Sequence, residues 1–474
     1  MPLHTDLTRE IAEGPAGPGI GAFFDLDRTL LAGFSATAFF RDWLRSGRMS
    51  VQTAVETLVA GARFQLGQVG FSGFVTASMG MLRGIPEEEF DRIAERIFTD
   101  WLAADVYPEA RALVRAHQRR GHTLAIVSSA TRYQVEPLAR DLGIPHVLCT
   151  RLEVRDGRLT GRIERPPCYG EGKATAARAF AAEHGAELVE SYFYSDSHED
   201  LPLLAIVGHP RPTNPNRQLA AIAAKRGWPA RRFTSRGTPG VSQVVRTVLA
   251  VWSIVPAFLL GVPAAMLDRS WRVAVNTAIA TWGEVGLPLA GVEVRVEGEQ
   301  HLWAQRPAVF IFNHQSGIDP LLLCRLLRRD FVGVGKQEVR QNPIFGPAFA
   351  LAGTVFIDRF DRDKAIKALE PAIAALREGL SLAIAPEGTR SPTPRLGRFK
   401  KGAFHLALAA GVPIVPIVIR NALDALPKHG VVVRPATVEV VVHPPISTAD
   451  WTVDDLDDRI AAIRQLYLDT LDEG

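Results

Sequence analysis

The chain has 474 residues, 47% hydrophobic and 22% charged, with a formal net charge of +3 at pH 7. That is an ordinary globular composition with ample core, and the length suits two or three domains. Basic and acidic residues are mixed in both halves with no long block of either sign, which argues against nucleic acid as a partner but leaves room for local basic pockets that hold phosphate.

The first stretch, MPLHTDLTREIAEGPAGPG, carries acidic residues early and has no apolar core. It is therefore no secretory signal, and residues 1–20 read as a flexible lead-in. Residues 21–27 follow as a buried strand whose apolar run ends in Asp25 and Asp27. Carboxylates one residue apart repel each other unless something positive lies between them. Residues 34–104 are largely helical in pattern, with GIPEEEFDRIAERIF the clearest amphipathic case. Leu124–Val127 is a second short strand, before Ser128, and Tyr192–Tyr194 a third, before Ser195 and Asp196. Strands alternating with helices predict a parallel α/β sheet, whose ligand site lies at the carboxyl ends of the strands. This first domain covers residues 21–227.

Residues 228–243 are rich in Pro, Gly, Ser and Arg and read as a linker. Thr247 to Leu267 is free of charge and just reaches the ~20 residues needed to span a bilayer. Pro256, Gly261 and Pro263 interrupt it, which favours a kinked or re-entrant anchor in one leaflet; a spanning helix and a buried core helix pair stay open. Trp271–Trp282 suits a second, interfacial helix, so residues 244–290 are expected to be membrane-associated. Ala308–Phe312, Thr354–Ile357, Leu382–Ala385 and Val412–Ile419 then read as strands of a second α/β domain, residues 291–474. Cys149, Cys168 and Cys324 are widely separated, form no zinc spacing or disulfide framework, and suit a reducing cytosolic face.

Two groups of residues carry chemistry. In the first half, Asp25 and Asp27 end one strand, Ser128 ends another, Lys173 lies at a probable helix start, and Asp196 and Asp200 fall in SDSHEDLPLL. Carboxylates converging at strand ends demand a cation, and hard oxygen ligands select Mg²⁺. A carboxylate nucleophile can form an aspartyl-phosphate, while a Lys and a Ser hydroxyl hold the phosphoryl oxygens. Asp200 alone also suits a helix cap before Leu201-Pro202. The order DLDRT, SS, GEGK, SDSHEDLPLL resembles the haloacid dehalogenase superfamily, closest to its phosphoserine-phosphatase-like branch with a helical cap after the first motif. The resemblance implies a Rossmann-like sheet and a phosphatase in which Asp25 is the nucleophile and Asp27 the general acid/base. It further implies that Ser128 and Lys173 bind phosphate, that Asp25, Asp27 and Asp196 hold the metal, and that Asp200 supports them. One departure stands out: Leu30 to Phe34 offers no acid to read a substrate ammonium group, which argues against phosphoserine and for a less polar phosphate monoester.

In the second half, IFNHQSGIDP places His314 and Asp319 five residues apart. That is no helix-face spacing, so they can meet only across a turn. If they meet, Asp319 orients the imidazole and His314 takes a proton from an attacking hydroxyl; otherwise Asp319 merely caps a helix. GTVFIDR, ending in Arg359, and APEGTRSP, with Glu387 and Arg390, follow two strands, and Lys336, Lys400 and Lys401 add cations suited to an anionic head group. The set NHQSGID, GTVFIDR, PEGTRS and VPIVPIVI resembles the glycerolipid acyltransferases, nearest to the PlsC-like 1-acylglycerol-3-phosphate acyltransferases. The resemblance implies a His314–Asp319 catalytic dyad, with Lys336, Arg359, Glu387, Gly388, Thr389 and Arg390 on the glycerol phosphate. It implies an acyl-CoA or acyl carrier protein donor, lysophosphatidic acid as acceptor, and docking at the cytoplasmic face of the inner or plasma membrane. The expectation is a bifunctional enzyme of phospholipid biosynthesis. Two alternatives stay open: a first domain that only binds or senses phosphate, and another lipid acceptor for the second.

Overall fold

A computed structural model of the protein describes residues 5–47, 59, 80–341, 345–357 and 370–472. They divide into two compact units, Met1–Thr238 and Pro239–Gly474.

The strands of the first unit are β1 (Gly21–Phe24), β2 (Thr123–Thr131), β3 (His146–Thr150), β4 (Leu152–Arg155), β5 (Arg158–Ile163), β6 (Tyr192–Ser195) and β7 (His209–Pro212). Five of them form a parallel sheet in the order β3-β2-β1-β6-β7. β1, GAFF, is buried throughout, as a strand covered on both faces must be. β2 and β6 both pair with β1, so Phe24 lies opposite Ile126 on one side and Tyr194 on the other. The chain leaves β1 toward both halves of the sheet, and the crevice of such a sheet opens past its carboxyl end.

Its helices include α1 (Thr5–Glu13), α2 (Ser35–Arg45), α3 (Glu87–Ile97), α4 (Pro108–Arg119), α5 (Arg132–Leu142) and α6 (Glu171–His184). α2 and α3 belong to the helical insertion after β1. α3 buries Phe90, Ile93, Ala94 and Ile97, one helical stripe, and the Phe90 ring meets Tyr133 of α5 edge-on at 4.6 Å. The β4–β5 hairpin fastens the base of the insertion: Gly84 donates its N–H to Leu159 at 2.8 Å.

Two expectations change here. The expected flexible lead-in holds helix α1, whose Ile11 is fully buried and whose Glu10 pairs with Arg211 and Arg231. Those partners lie some 200 residues away, so nothing local in the sequence signals the docking. The expected linker is also fastened in part. Phe233 stacks edge-on against Tyr107 at 5.2 Å and donates its N–H to Asn214 at 2.7 Å.

The second unit has strands β8 (Val292–Glu297), β9 (Val309–Phe312), β10 (Phe331–Lys336), β11 (Val355–Ile357), β12 (Ser381–Ile384), β13 (Ile414–Ile419) and β14 (Ala436–Val442). Their order is β11-β10-β12-β9-β13-β14-β8. The first five are mutually parallel, and β14 runs antiparallel to β13. Its helices include α7 (Val241–Trp252), α8 (Ile254–Asp268), α9 (Trp271–Ala290), α10 (Asp319–Leu327) and α11 (Leu456–Asp472). Tyr467 of α11 reaches the sheet, donating its hydroxyl to Ile311 at 2.7 Å and accepting from Ile417 at 3.2 Å.

The segment Val241–Asp268 is long and apolar enough to cross a membrane. It breaks at Ser253, and Pro256 falls in the first turn of α8, where no N–H is needed. α8 leaves Leu259, Leu260, Met266 and Leu267 between 62 and 89% exposed. α9 is not the interfacial helix expected. It buries Val275, Ile279, Trp282 and Leu287, and lies between α8 and α10. Both crossings run over glycine: a Cβ at Gly261 would lie 2.4 Å from the Ala274 carbonyl, and one at Gly283 would lie 2.4 Å from the Arg325 nitrogen.

Candidate active sites

In the first unit the site is built on strand ends. Asp25 follows β1 and donates its N–H to Tyr194 of β6 at 2.9 Å. Lys173 enters from the first turn of α6. Gly172 permits that approach, because a Cβ there would lie 2.2 Å from the Pro167 carbonyl. The Lys173 ammonium donates to Asp25 at 2.7 Å and to Asp200 at 2.8 Å, and Ser195 donates to the same Asp200 oxygen at 2.6 Å. Asp200 makes no side-chain cap of the helix that follows it. Its carboxylate instead shares Lys173 with Asp25. Ser128 is buried in β2, its hydroxyl accepting from Ala130 at 3.1 Å. Asp27 accepts the N–H of Ser35 at 2.7 Å, and Asp196 faces the Arg28 guanidinium at 3.4 Å.

Burial pushes Asp25 up from the ordinary carboxylate range; Lys173 opposes the shift, while the charges of Asp200 and Asp196 add to it. Burial also lifts Asp27 to about 6 and Asp196 to about 7. Burial works against the charge on Lys173, yet Asp200 and Asp25 hold it protonated beyond its usual range. Carboxylates this strained in their ionised form are what a cation relieves. The donor set of Asp25, Asp27 and Asp196 fits a hard ion such as Mg²⁺ in kind, although among the described residues no three such side chains are gathered around one point.

At the mouth of this site, Leu30 and Leu31 are buried and Phe34 is half exposed, with the Arg28 guanidinium 5.9 Å above its ring. A cation thus lies over Phe34 at the end of the acid-free stretch, while the backbone of Asp105 pairs with Ala32. Arg28 adopts a left-handed backbone, φ 60°, and its carbonyl accepts from Asn214 at 2.8 Å.

In the second unit, His314 and Asp319 meet. The His314 Nδ1 lies 2.7 Å from Asp319 Oδ2, and that oxygen also accepts the N–H groups of Gln315 and Ser316 at 3.0 and 2.9 Å. Asp319 therefore builds the turn that brings the histidine to it. A carboxylate facing Nδ1 fixes the N–H there and leaves the Nε2 lone pair free. Asp319 is wholly buried, and the His314 side chain is 25% exposed. The Glu387 carboxylate accepts His314 N–H at 2.9 Å and Gly397 N–H at 2.7 Å, so it holds the loop of the dyad. Burial raises its pKa, and those two N–H bonds oppose the shift. Gly388 takes φ 75°, Thr389 is exposed, and half-buried Arg390 stands beside Gly317 in the dyad turn. Lys336 ends β10 with its side chain exposed, and neither it nor Arg390 has an acidic partner among the described residues. Lys401 pairs with Asp457. Arg359 lies outside the described residues. His314, Glu387 and Lys336 all sit at the carboxyl ends of parallel strands.

Three residues escaped the sequence reading. Asn313 clamps β9 to β13, donating to the Ile419 carbonyl and accepting from its N–H, both at 2.7 Å. Ser35 and Gln134 stand behind Asp27. Asn313 adjoins His314 in the same motif, a signal that could have found it; Ser35 and Gln134 carry none.

A family model described as haloacid dehalogenase-like hydrolase matches residues 22–205, and one described as acyltransferase matches residues 293–420. A Mycobacterium tuberculosis protein described as a probable phosphatase is 36% identical over 216 residues, 45% of this chain and 75% of its own length. The 1-acyl-sn-glycerol-3-phosphate acyltransferase of Saccharomyces cerevisiae is 35% identical over 237 residues, 48% of this chain and 77% of its own. Among solved structures, the acyltransferase PlsC of Thermotoga maritima matches at 22% identity and a TM-score of 0.40, covering 48% of this chain and 97% of that one.

Proposed function

Because the chain belongs to the haloacid dehalogenase-like hydrolases through its first half and to the acyltransferases through its second, we propose that it is one membrane-associated enzyme with two reactions: hydrolysis of a phosphate monoester, and transfer of a fatty acyl group from an acyl-CoA or acyl carrier protein thioester to 1-acylglycerol 3-phosphate, giving phosphatidic acid. The observation that supports this reading is that in each half a residue following a parallel strand meets a partner from a helix start: Asp25 with Lys173 in one, His314 with Asp319 in the other.

In the hydrolase, Asp25 attacks phosphorus as the bond to the leaving oxygen breaks, and Asp27 protonates that oxygen. Asp27 then takes a proton from water, which attacks the aspartyl-phosphate and regenerates Asp25. Lys173 and Ser128 hold the phosphoryl oxygens. Asp25, Asp27 and Asp196 would hold Mg²⁺, which when bound neutralises charge on the phosphoryl group. Asp200 keeps Lys173 in place. The cation and apolar ring at Arg28 and Phe34 favour a substrate without an ammonium group.

In the acyltransferase, His314 Nε2 takes the proton of the acceptor hydroxyl, whose oxygen attacks the thioester carbonyl. The C–S bond breaks, and the thiol leaves with the proton. Asp319 steadies the charged imidazole. Arg390, Lys336 and Arg359 are the cations for the acceptor phosphate, with the Gly388–Thr389 loop beside them. The exposed apolar row of α8 supports docking on a membrane, where the acceptor resides.

The test is a paired assay on the full chain. Asp25→Asn should abolish phosphate release and spare acyl transfer, and His314→Ala should do the reverse. Loss of both activities from either change would break the two-site reading.

A further inference from the structure

Asp27 is held from behind by a buried relay. It accepts the N–H of Ser35, the first residue of α2, at 2.7 Å. The Ser35 hydroxyl accepts from Gln134 Nε2 at 3.0 Å, which leaves its own proton to point elsewhere. Gln134 Oε1 in turn accepts both the N–H and the hydroxyl of Thr131, at 2.9 and 3.0 Å. Thr131 ends β2, the strand that carries Ser128. Ser35, Thr131 and Gln134 are all buried.

Part of this is local. Thr131 and Gln134 form a capping box at the start of α5, and Oε1 alone satisfies it. Nε2 is not needed there, and it reaches a residue 99 positions away in the helical insertion. We propose that Ser35 and Gln134 are positioning residues for Asp27, fixing its carboxylate for proton transfer when the start of the insertion is seated on the sheet. This rests on Asp27 as the acid/base of the hydrolase. The relay ties the phosphate-holding strand, the insertion and the proton donor together, so displacement of α2 would disorient Asp27 before it disturbed Asp25, which Lys173 holds separately.

The test uses leaving-group dependence on the full chain with Mg²⁺. kcat/KM reports the steps through cleavage of the P–O bond. Glycerol 3-phosphate needs its alkoxide protonated as it leaves, whereas p-nitrophenyl phosphate does not. Gln134→Met and Ser35→Ala should each lower kcat/KM for the alkyl ester about tenfold or more and for the aryl ester by less than about threefold. The double variant should be no worse than either single one, because the two residues act as a unit. Ser35→Ala retains the backbone N–H and keeps the test open should Gln134→Met fold poorly in a thermal melt. Equal losses on both esters, no loss on either, or additive losses in the double variant would overturn the proposal. A wild-type protein that releases phosphate from neither ester overturns the hydrolase reading and this inference with it.

Discussion

Glu387 receives the backbone N–H of His314 on one carboxylate oxygen, and the other oxygen receives that of Gly397. A residue that the family resemblance would assign to the substrate phosphate is thereby a brace for the loop of His314. A carboxylate would repel a phosphate in any case, whereas it is the ideal acceptor for two buried amides.

Glu387→Gln should therefore damage acyl transfer without touching phosphate release. Its amide can accept one N–H but must turn a donor toward the other. Leaving one buried N–H unpaired costs about 1–3 kcal/mol. An acyl-transfer rate within about twofold of wild type, set against that cost, would show that Glu387 does not hold His314.

Lys173→Met should abolish phosphate release and destabilise the fold. It leaves Asp25 and Asp200, both buried, without the cation they share. Breaking a buried pair by removing one partner costs about 3–5 kcal/mol. Urea unfolding of the variant checks this; a midpoint equal to that of wild type would contradict it.

His117 and His122 make a second testable pair. Their Nδ1 atoms lie 2.7 Å apart, His117 Nε2 faces the Tyr194 hydroxyl at 3.0 Å, and His122 Nε2 faces the Pro15 carbonyl at 3.0 Å. The carbonyl can only accept, so with both rings neutral the bonds run in one order: His122 donates to Pro15, His117 donates to His122, and Tyr194 donates to His117. Protonating both rings would set two N–H donors against each other at the Nδ1 contact. Burial lowers both histidines below their usual range, His117 far below. The unfolded chain binds their protons as pH falls below about 6.5, and the folded chain binds them only at lower pH, His117 far lower. Stability from this pair is therefore full above that pH and falls by up to about 1.4 kcal/mol per pH unit per ring below it. Urea unfolding at pH 7.5 and 5.5 should show a smaller acid loss in His117→Phe than in wild type. The difference between the two proteins removes the contribution of Asp25 and Asp196, whose raised pKa acts in the opposite sense.

The exposed row on α8 should bind lipid. Vesicles of anionic phospholipid should sediment the wild type, and Leu260→Glu with Leu267→Glu should release it. Because both side chains are exposed, the melting temperature should change little and acyl transfer to a detergent-dispersed acceptor should persist.

Much of this was legible from residue order. Asp25, Ser128 and Asp196 end apolar runs, and a parallel sheet gathers such ends whatever lies between them. The turn joining His314 to Asp319 was foreseeable because a spacing of five excludes a helix face. What was hidden depends on distant partners. Asp200 taken alone reads as a helix cap, and only the order of motifs assigned it a supporting role; its bond to Lys173, 27 residues earlier, was not legible. Gln134 gives no sign of its role, since its hydrogen bond to Ser35 joins it to a residue 99 positions away. α1 reads as a loose end because Glu10 meets Arg211 only after the sheet forms. α9 was misjudged for a different reason: its Ala and Gly residues suit close packing, which a count of apolar residues does not register.

Those glycines have a mechanical consequence. Gly261 brings the backbone of α8 hard against α9, and Gly283 brings α9 hard against α10, whose first residue is Asp319. At each glycine backbone meets backbone, and buried side chains such as Ile254, Val275, Trp282 and Leu321 fill the rest of the two crossings, so the apolar row and the dyad are joined through close-packed helices. With the row resting on a bilayer, His314 would stand at one fixed height above it. The enzyme would then select its acceptor partly as a depth gauge does, by where along the membrane normal a hydroxyl is presented.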